Sequence, residues 1–246
     1  MRTVVKNVAY AAIRNGRRLP DPMAISQFRQ LSKTVDLLRQ MQIDLVLDVG
    51  ANQGWYAYHL RKAGYRGDIV SFEPIAREFE KIIRLSANDE NWTAQCCALG
   101  EENGIKDFNV ILAGGNNHEE TVLSSFLDPL SGIGNSQSTE KVKIRRLDSV
   151  LSELSKQGKA PKIFLKMDTQ GYDQYVFRGA GVWQEHVFML QSEISVLSLY
   201  KGMVHYTEAL RTFHDIGFLL KDLFVVNRTA TGDVLEYDCL MYRHNS

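Results

Sequence analysis

The stretch of sequence that decides the fold spans residues 44–74 and reads DLVLDVGANQGWYAYHLRKAGYRGDIVSFEP. Residues 45–49 form an almost continuous apolar run, which is typical of a strand buried on both faces of a parallel sheet. Residues 69–72 repeat this pattern after a segment with helical spacing. A strand, a helix and a second strand in this order predict an α/β fold with a mostly parallel sheet.

Carboxylates and glycines mark the ends of these two predicted strands. A buried carboxylate is unfavourable unless it is satisfied, so we expect Asp48 to face a ligand or loop amides at the carboxyl edge of the sheet. An acid at the position of Glu73, one strand over, commonly binds both hydroxyls of a ribose. Gly50 and Gly54 allow a tight turn and a close approach of the backbone to a ligand. The stretch therefore predicts a nucleotide pocket.

The spacing of the glycines distinguishes between two kinds of nucleotide. The dinucleotide fingerprint G-x-G-x-x-G needs a second glycine at the position that Asn52 occupies here. Asp48 would also repel a pyrophosphate, whereas it suits the amino group and the sulfonium of S-adenosylmethionine. We therefore predict a methyl-donor site that includes Asn52. The alternatives are a dinucleotide-dependent oxidoreductase and a non-catalytic nucleoside-binding protein.

Five short motifs occur in order along the chain. They are DVGANQG at 48–54, FEP at 72–74, ALG at 98–100, RLD at 146–148 and LKMDTQGYD at 165–173. Together they resemble the FkbM family of S-adenosylmethionine-dependent methyltransferases, from about residue 43 to residue 242. The resemblance implies methylation of a hydroxyl on a sugar, a glycan or a related natural product. The family usually has Glu where this chain has Asp173.

The remaining pattern completes the predicted fold. Helices are predicted at 25–41, 55–63, 75–87 and 195–216, and strands at 92–99, 108–112, 142–146, 163–168, 187–193, 217–226 and 234–242. The last two strands are joined by a short turn, so they must be antiparallel. The predicted fold class is α/β: a class I methyltransferase (Rossmann-like), mostly parallel sheet with a C-terminal antiparallel hairpin and flanking helices.

The donor site predicted from these patterns extends to the third strand. In a methyltransferase the end of this strand lies against the adenine, and small apolar side chains there suit a flat base. The residues predicted to bind the donor are Asp48, Gly50, Asn52, Gly54, Glu73, Ala98 and Leu99.

Polar residues at the ends of later strands are the catalytic candidates. An unactivated hydroxyl needs a base or a metal to lose its proton near neutral pH. Asp168 is our first choice for base or metal ligand. Lys166, on the same strand face, is predicted to be an electrostatic partner of the acceptor oxygen or of the donor's carboxylate. The alternative for this pair is a salt bridge that holds a loop. Glu193, Asp173 and His205 are the further catalytic candidates.

A divalent metal such as magnesium is left undecided by the sequence. If a metal takes part, its predicted ligands are Asp168 and Glu193. A Gly, Ser and Asn-rich segment, residues 114–138, is predicted to be a mobile cover over the acceptor.

Composition limits the partners and the compartment. Lys plus Arg and Asp plus Glu both total 29 in 246 residues, so we expect no nucleic-acid partner and predict a small-molecule or glycan acceptor. Two of the three cysteines, Cys96 and Cys97, are adjacent, and neighbouring strand residues cannot form an ordinary disulfide. Reduced thiols predict a cytoplasmic protein.

The N-terminal 42 residues are predicted to be a helical arm, and residues 43–246 the methyltransferase domain. Residues 1–18 contain five basic residues and no acid. Lys6 and Asn7 interrupt the apolar positions, so the segment predicts neither a secretion signal nor a membrane span. A basic helix that packs on the domain or frays is one interpretation, and peripheral contact with an anionic membrane is the other.

Overall fold

The computed structural model describes residues 22–113, 121–154 and 160–243. The helices are α1 Pro22–Gln40, α2 Trp55–Lys62, α3 Ala76–Ser86, α4 Leu147–Leu154, α5 Asp173–Arg178 and α6 Tyr206–Asp215, with a 3-10 helix at Gly181–His186. The strands are β1 Leu45–Val49, β2 Asp68–Phe72, β3 Trp92–Gln95, β4 Ala98–Gly100, β5 Gly104–Leu112, β6 Ser136–Arg146, β7 Ile163–Met167, β8 Val187–Ser195, β9 Leu219–Arg228 and β10 Val234–Tyr242.

The main sheet has the strand order β3-β2-β1-β7-β8-β10-β9. Strands β3, β2, β1, β7 and β8 run parallel, and β10 lies antiparallel between β8 and β9. The order of the strands reverses at β1, and ligands of open α/β sheets bind at such a point. The sheet confirms the predicted α/β fold and the antiparallel hairpin at its C-terminal end.

Apolar layers cover both faces of the main sheet because side chains alternate along each strand. On one face, Leu47 and Leu165 belong to a buried cluster with Phe177 of α5 and Phe213 of α6. On the other face, Val46 and Phe164 pack with a cluster that includes Leu38 of α1. Helix α1 therefore packs on the same sheet, and the predicted boundary at residue 42 stays a prediction.

The third predicted strand, 92–99, is wrong as a single element. Trp92–Gln95 joins the main sheet, whereas Ala98–Gly100 joins a second sheet with the order β4-β6-β5. The chain turns sharply between them, since the Cys97 amide donates to the Gln95 carbonyl at 3.0 Å. All three cysteines are free thiols. The β5–β6 hairpin is longer than the two strands predicted there.

The predicted helix at 195–216 is also wrong in its first half. Only Tyr206–Asp215 is helical. Before it, backbone groups pair with another segment instead of with each other: the Leu130 amide donates to the Leu199 carbonyl, and the Lys201 amide donates to the Asp128 carbonyl. These bonds remove the partners that a helix would need.

Within the described ranges, no helix is long and apolar enough to cross a membrane. The basic segment 1–18 and its predicted membrane contact lie outside the described residues.

Candidate active site

A cleft of about 650 Å³, counted with its open mouth, lies at the switch point of the main sheet. The ends of β1, β2 and β7 form its floor, and β4, β5 and residues 121–126 form its far walls. Five of the predicted donor residues line it: Gly50, Asn52, Glu73, Ala98 and Leu99.

One end of the cleft is aromatic. The ring of Phe126 lies 4.9 Å from those of both Phe108 and Tyr172, measured between centroids. Ala98 and Leu99 also line the cleft. A flat base fits among such rings, because aromatic pairs favour offset and edge-to-face contacts. The predicted adenine position therefore has the right chemistry.

Glu73 is the acid of the cleft, and its carboxylate is held on both oxygens. The Asn52 amide donates to Oε2 at 2.8 Å, and the Ile75 amide donates to Oε1 at 2.9 Å. Burial raises the pKa of Glu73 to about 7, although these two hydrogen bonds act in the opposite direction. A fixed acid that lines the cleft suits the predicted contact with ribose hydroxyls.

Asn52 closes one side of the cleft. Its backbone is left-handed, with φ 47°, and its side-chain amide donates to the Thr121 hydroxyl at 3.1 Å. This bond connects the loop after β1 to residues 121–126. Within the predicted cover 114–138, Ser125 is fully buried and donates to the Gln170 carbonyl at 2.8 Å. The mobility of this segment stays a prediction. Residues 114–120 lie outside the described ranges.

The two predicted glycines make close contacts with protein, although Gly50 also lines the cleft. Gly50 has φ 71°, and a Cβ added there would lie only 2.0 Å from the Asp168 carbonyl oxygen. Gly54 has φ 83°, and its added Cβ would lie 3.3 Å from both Ile82 and Trp92. Gly50 therefore permits the contact between the β1 and β7 loops, and Gly54 permits packing at the start of α2.

Asp48 is not among the residues that line the cleft, and its predicted role in donor binding stays a prediction. It is fully buried, its Oδ1 lies 3.1 Å from Lys166 Nζ, and its Oδ2 accepts a hydrogen bond from Ser71. The register explains this arrangement, since Asp48 pairs with Lys166 across β1 and β7. Burial alone would lower the pKa of Lys166, but the charges of Asp48 and Asp168 raise it above its ordinary value. Lys166 therefore stays protonated.

Asp168 is the carboxylate that the strand end presents to the cleft. Its side chain is 41% exposed, and Lys166 Nζ lies 3.4 Å from its Oδ2. Its other oxygen, Oδ1, accepts a hydrogen bond from Gln170 Nε2 at 3.3 Å. The Asp168 amide donates to the Val49 carbonyl at 3.1 Å, which fixes the backbone beside the donor loop. Asp168 and Lys166 thus come together as predicted.

The other catalytic candidates lie apart from the cleft lining. Glu193 is buried and accepts from Gln170 Nε2 at 2.5 Å; burial, followed by the charge of Asp168, raises its pKa well above the ordinary value. Asp173 is buried and accepts from the Ser192 hydroxyl at 2.6 Å and from the Thr169 amide. These bonds tie the loop after β7 to β8.

His205 directly precedes α6 and its Nδ1 contacts the Thr207 hydroxyl at 2.8 Å. It is exposed, and no contact joins it to Asp168 among the residues that the structure describes. In those same residues there is no group of three or more His, Cys, Asp or Glu side chains that could hold a metal. Asp168 and Glu193 therefore lack a third ligand of these types there.

The family model of the FkbM methyltransferase domain matches residues 48–223. The chain belongs to this family. The match begins at Asp48 and includes every motif quoted from the sequence. It places the protein among S-adenosylmethionine-dependent methyltransferases rather than dinucleotide oxidoreductases. No curated protein sequence matches the chain significantly.

Several solved methyltransferase structures are similar to this chain. Magnesium protoporphyrin IX methyltransferase from Synechocystis, with bound S-adenosylmethionine, has 10% identity, covers 90% of this chain and 82% of that one, and has a TM-score of 0.45. Aeropyrum pernix fibrillarin, also with bound S-adenosylmethionine, has 13% identity and a TM-score of 0.45, and the match covers 80% of this chain and 66% of that one. The 1,6-didemethyltoxoflavin methyltransferase from Burkholderia thailandensis has 10% identity and a TM-score of 0.46, and the match covers 99% of this chain and 89% of that one. These likenesses are too distant to carry a substrate over.

This methyltransferase has site residues that the sequence did not reveal. Phe126 and Thr121 lie in the segment that the sequence assigned to a cover over the acceptor, but without a periodic pattern nothing identified these two residues as lining the cleft. Gln170 was part of a family motif, but its contacts with two carboxylates depend on β7 and β8 being neighbours. All three residues are identified only by contacts between segments that are distant in the sequence.

Proposed function

We propose that this methyltransferase transfers a methyl group from S-adenosylmethionine to a hydroxyl of a small molecule, a sugar or a glycan. The observation that carries the proposal is Asp168, a partly exposed carboxylate at the switch-point cleft whose two oxygens have different partners. A carboxylate held in this way is suited to remove a proton from a hydroxyl as the new bond forms.

The residues of the cleft fit the donor. Glu73 would accept hydrogen bonds from the ribose hydroxyls, and the aromatic end with Ala98 and Leu99 would hold the adenine. Asp48 would act from a distance, through Lys166. When bound, the donor supplies a methyl group on a positively charged sulfur, which is a good leaving group.

Asp168 is kept in place by its neighbours. The ammonium of Lys166 lies 3.4 Å from one oxygen of the Asp168 carboxylate. The same ammonium is anchored by Asp48 on its other side, so it cannot swing into the cleft without breaking a buried ion pair. Lys166 thus orients Asp168, while Asp168 meets the acceptor.

The other candidates fit the role of base less well. Glu193 is buried and is not among the residues that line the cleft, and burial raises its pKa well above the ordinary value. Both carboxylate oxygens of Asp173 already accept hydrogen bonds, one from the Thr169 amide and the other from the Ser192 hydroxyl. His205 is exposed near the start of α6.

The test is transfer of label from methyl-labelled S-adenosylmethionine to a library of glycans and hydroxylated small molecules. We expect Asp168→Asn to reduce turnover by about 10²-fold or more while the affinity for S-adenosylhomocysteine changes little, because shape is kept and charge is lost. Asp107→Asn is the matched control, since Asp107 is an exposed carboxylate that pairs with Lys141. Normal turnover in Asp168→Asn with earlier melting would mean that Asp168 only holds the loop.

The acceptor class, the cytoplasmic location and the lack of a nucleic-acid partner belong to this proposal as predictions. The equal numbers of acidic and basic residues support an uncharged or weakly charged acceptor rather than a polyanion. Magnesium stays undecided: adding EDTA to the labelling reaction would abolish transfer only if a divalent metal takes part.

A further inference from the structure

Gln170 occupies a constrained position beside the proposed base. It lies in the turn between β7 and α5, the residue is 7% exposed, and its backbone is left-handed with φ 52°. A left-handed backbone is uncommon for a residue with a long side chain. The surrounding contacts must therefore hold Gln170 in this conformation.

The side-chain amide of Gln170 bridges two carboxylates. Nε2 donates to Asp168 Oδ1 at 3.3 Å and to Glu193 Oε2 at 2.5 Å. An amide nitrogen has two protons, so each carboxylate receives one. The orientation of the amide follows from these neighbours, because the carbonyl oxygen of Gln170 in the same place would face a carboxylate oxygen.

The other atoms of Gln170 join this bridge to the wall of the cleft. The Tyr200 hydroxyl lies 3.2 Å from Gln170 Oε1 and 2.5 Å from the Leu123 carbonyl oxygen, and its single proton serves one of them at a time. The main-chain carbonyl of Gln170 accepts a hydrogen bond from Ser125 at 2.8 Å. Both Leu123 and Ser125 belong to the segment that forms the wall.

We propose that Gln170 is a positioning residue for methyl transfer, whose amide fixes the orientation of the Asp168 carboxylate against the cleft wall and against Glu193. This inference rests on the proposed function, in which Asp168 receives the proton. Lys166 holds one oxygen of Asp168 and Gln170 the other, so the carboxylate plane is defined only when both are present.

Loss of this bridge has a kinetic consequence. Two carboxylates that share a site repel each other, and a neutral amide between them supplies a donor to both without adding charge. Without the amide, Asp168 can turn about its side-chain bond toward Lys166. A misplacement of about 1 Å at a reacting group can cost about 10²-fold in rate.

The kinetic test uses Gln170→Asn. Asparagine tolerates a left-handed backbone better than glutamine, so the fold is not penalised, but its amide is one methylene too short to reach both carboxylates. We expect kcat to fall about 10–100-fold with the acceptor found by labelling, while the acceptor KM stays within about threefold. Gln191→Asn is the matched control, because Gln191 is a buried glutamine that accepts from Tyr56. Unchanged kcat in Gln170→Asn, or an equal fall in the control, would overturn the proposal.

A second measurement needs no acceptor, so it separates this proposal from the proposed function. In a 1H–15N spectrum, the Gln170 side-chain protons are assigned by their loss in Gln170→Asn. We expect two separate resonances that exchange at least about 100-fold more slowly than those of free glutamine and that shift in Asp168→Asn and in Glu193→Gln. Protons that exchange like free glutamine would refute the bridge, whether or not methyl transfer is found.

Discussion

Donor binding should depend on pH through Glu73. Its pKa of about 7 is raised by burial, and the carboxylate lines the cleft. If only the ionised form binds S-adenosylhomocysteine, about 90% of the protein is competent at pH 8 and about 10% at pH 6. The apparent Kd should therefore be about tenfold higher at pH 6 than at pH 8.

Isothermal titration of S-adenosylhomocysteine between these two pH values measures this effect. Glu73→Gln should bind more weakly by roughly 1–3 kcal/mol, since charge-assisted hydrogen bonds are lost, and its Kd should no longer change with pH. Glu80→Gln is a matched control, because Glu80 is an exposed carboxylate on α3. A wild-type Kd that is flat with pH, or a Glu73→Gln variant with the wild-type slope, would refute the reasoning.

The same group predicts the pH dependence of stability. The folded protein holds the Glu73 proton more tightly than the unfolded chain, whose carboxyl has the ordinary pKa of 4.5. The contribution of Glu73 to the free energy of unfolding is therefore fully present below pH 4.5 and is lost as the pH rises to about 7. The difference is about 3 kcal/mol for a shift of this size. Urea unfolding of the wild type and of Glu73→Gln across this range measures it, and parallel curves would contradict the assignment.

Two further variants test the geometry of the cleft. Gly50→Ala places a Cβ 2.0 Å from the Asp168 carbonyl oxygen, on a backbone with φ 71°. We expect this variant to lower the free energy of unfolding by roughly 2–5 kcal/mol in urea titrations. The control Gly104→Ala, where the space is open, should lower it by less than about 1 kcal/mol. Thr121→Val keeps the shape but removes the hydroxyl that accepts from Asn52, so S-adenosylhomocysteine should dissociate several-fold faster in stopped-flow experiments, whereas equal rates would mean that this bond does not restrain the cleft.

The central strands of the main sheet and their mostly parallel arrangement followed from the sequence because these strands are apolar runs with clear ends. The runs at 45–49 and 163–167 are buried on both faces, and this pattern depends little on distant contacts. The prediction failed where local pattern and tertiary contacts disagree. No glycine or proline interrupts residues 92–99, yet the chain turns at Cys96 and Cys97 because β4 pairs with β6 of the hairpin.

The candidate site could also be predicted only in part from the sequence. Glu73 and Asp168 are recognisable because each follows a buried strand, and the carboxyl ends of parallel strands share one edge. The burial of Asp48 was not, since it depends on the register that places Lys166 opposite it. Periodicity assigns a residue to a face, but it does not say which charged residue of the neighbouring strand lies beside it.

The contact between Gly50 and the Asp168 carbonyl oxygen restricts how this enzyme can be redesigned. The loop predicted to meet the donor and the loop that carries the proposed base touch without space for one additional carbon atom. A protein engineer who alters the first loop to accept a bulkier donor analogue must therefore alter the second in the same library. By contrast, Val122 is an exposed residue on the opposite wall of the cleft, where single substitutions can change selectivity without disturbing the two loops.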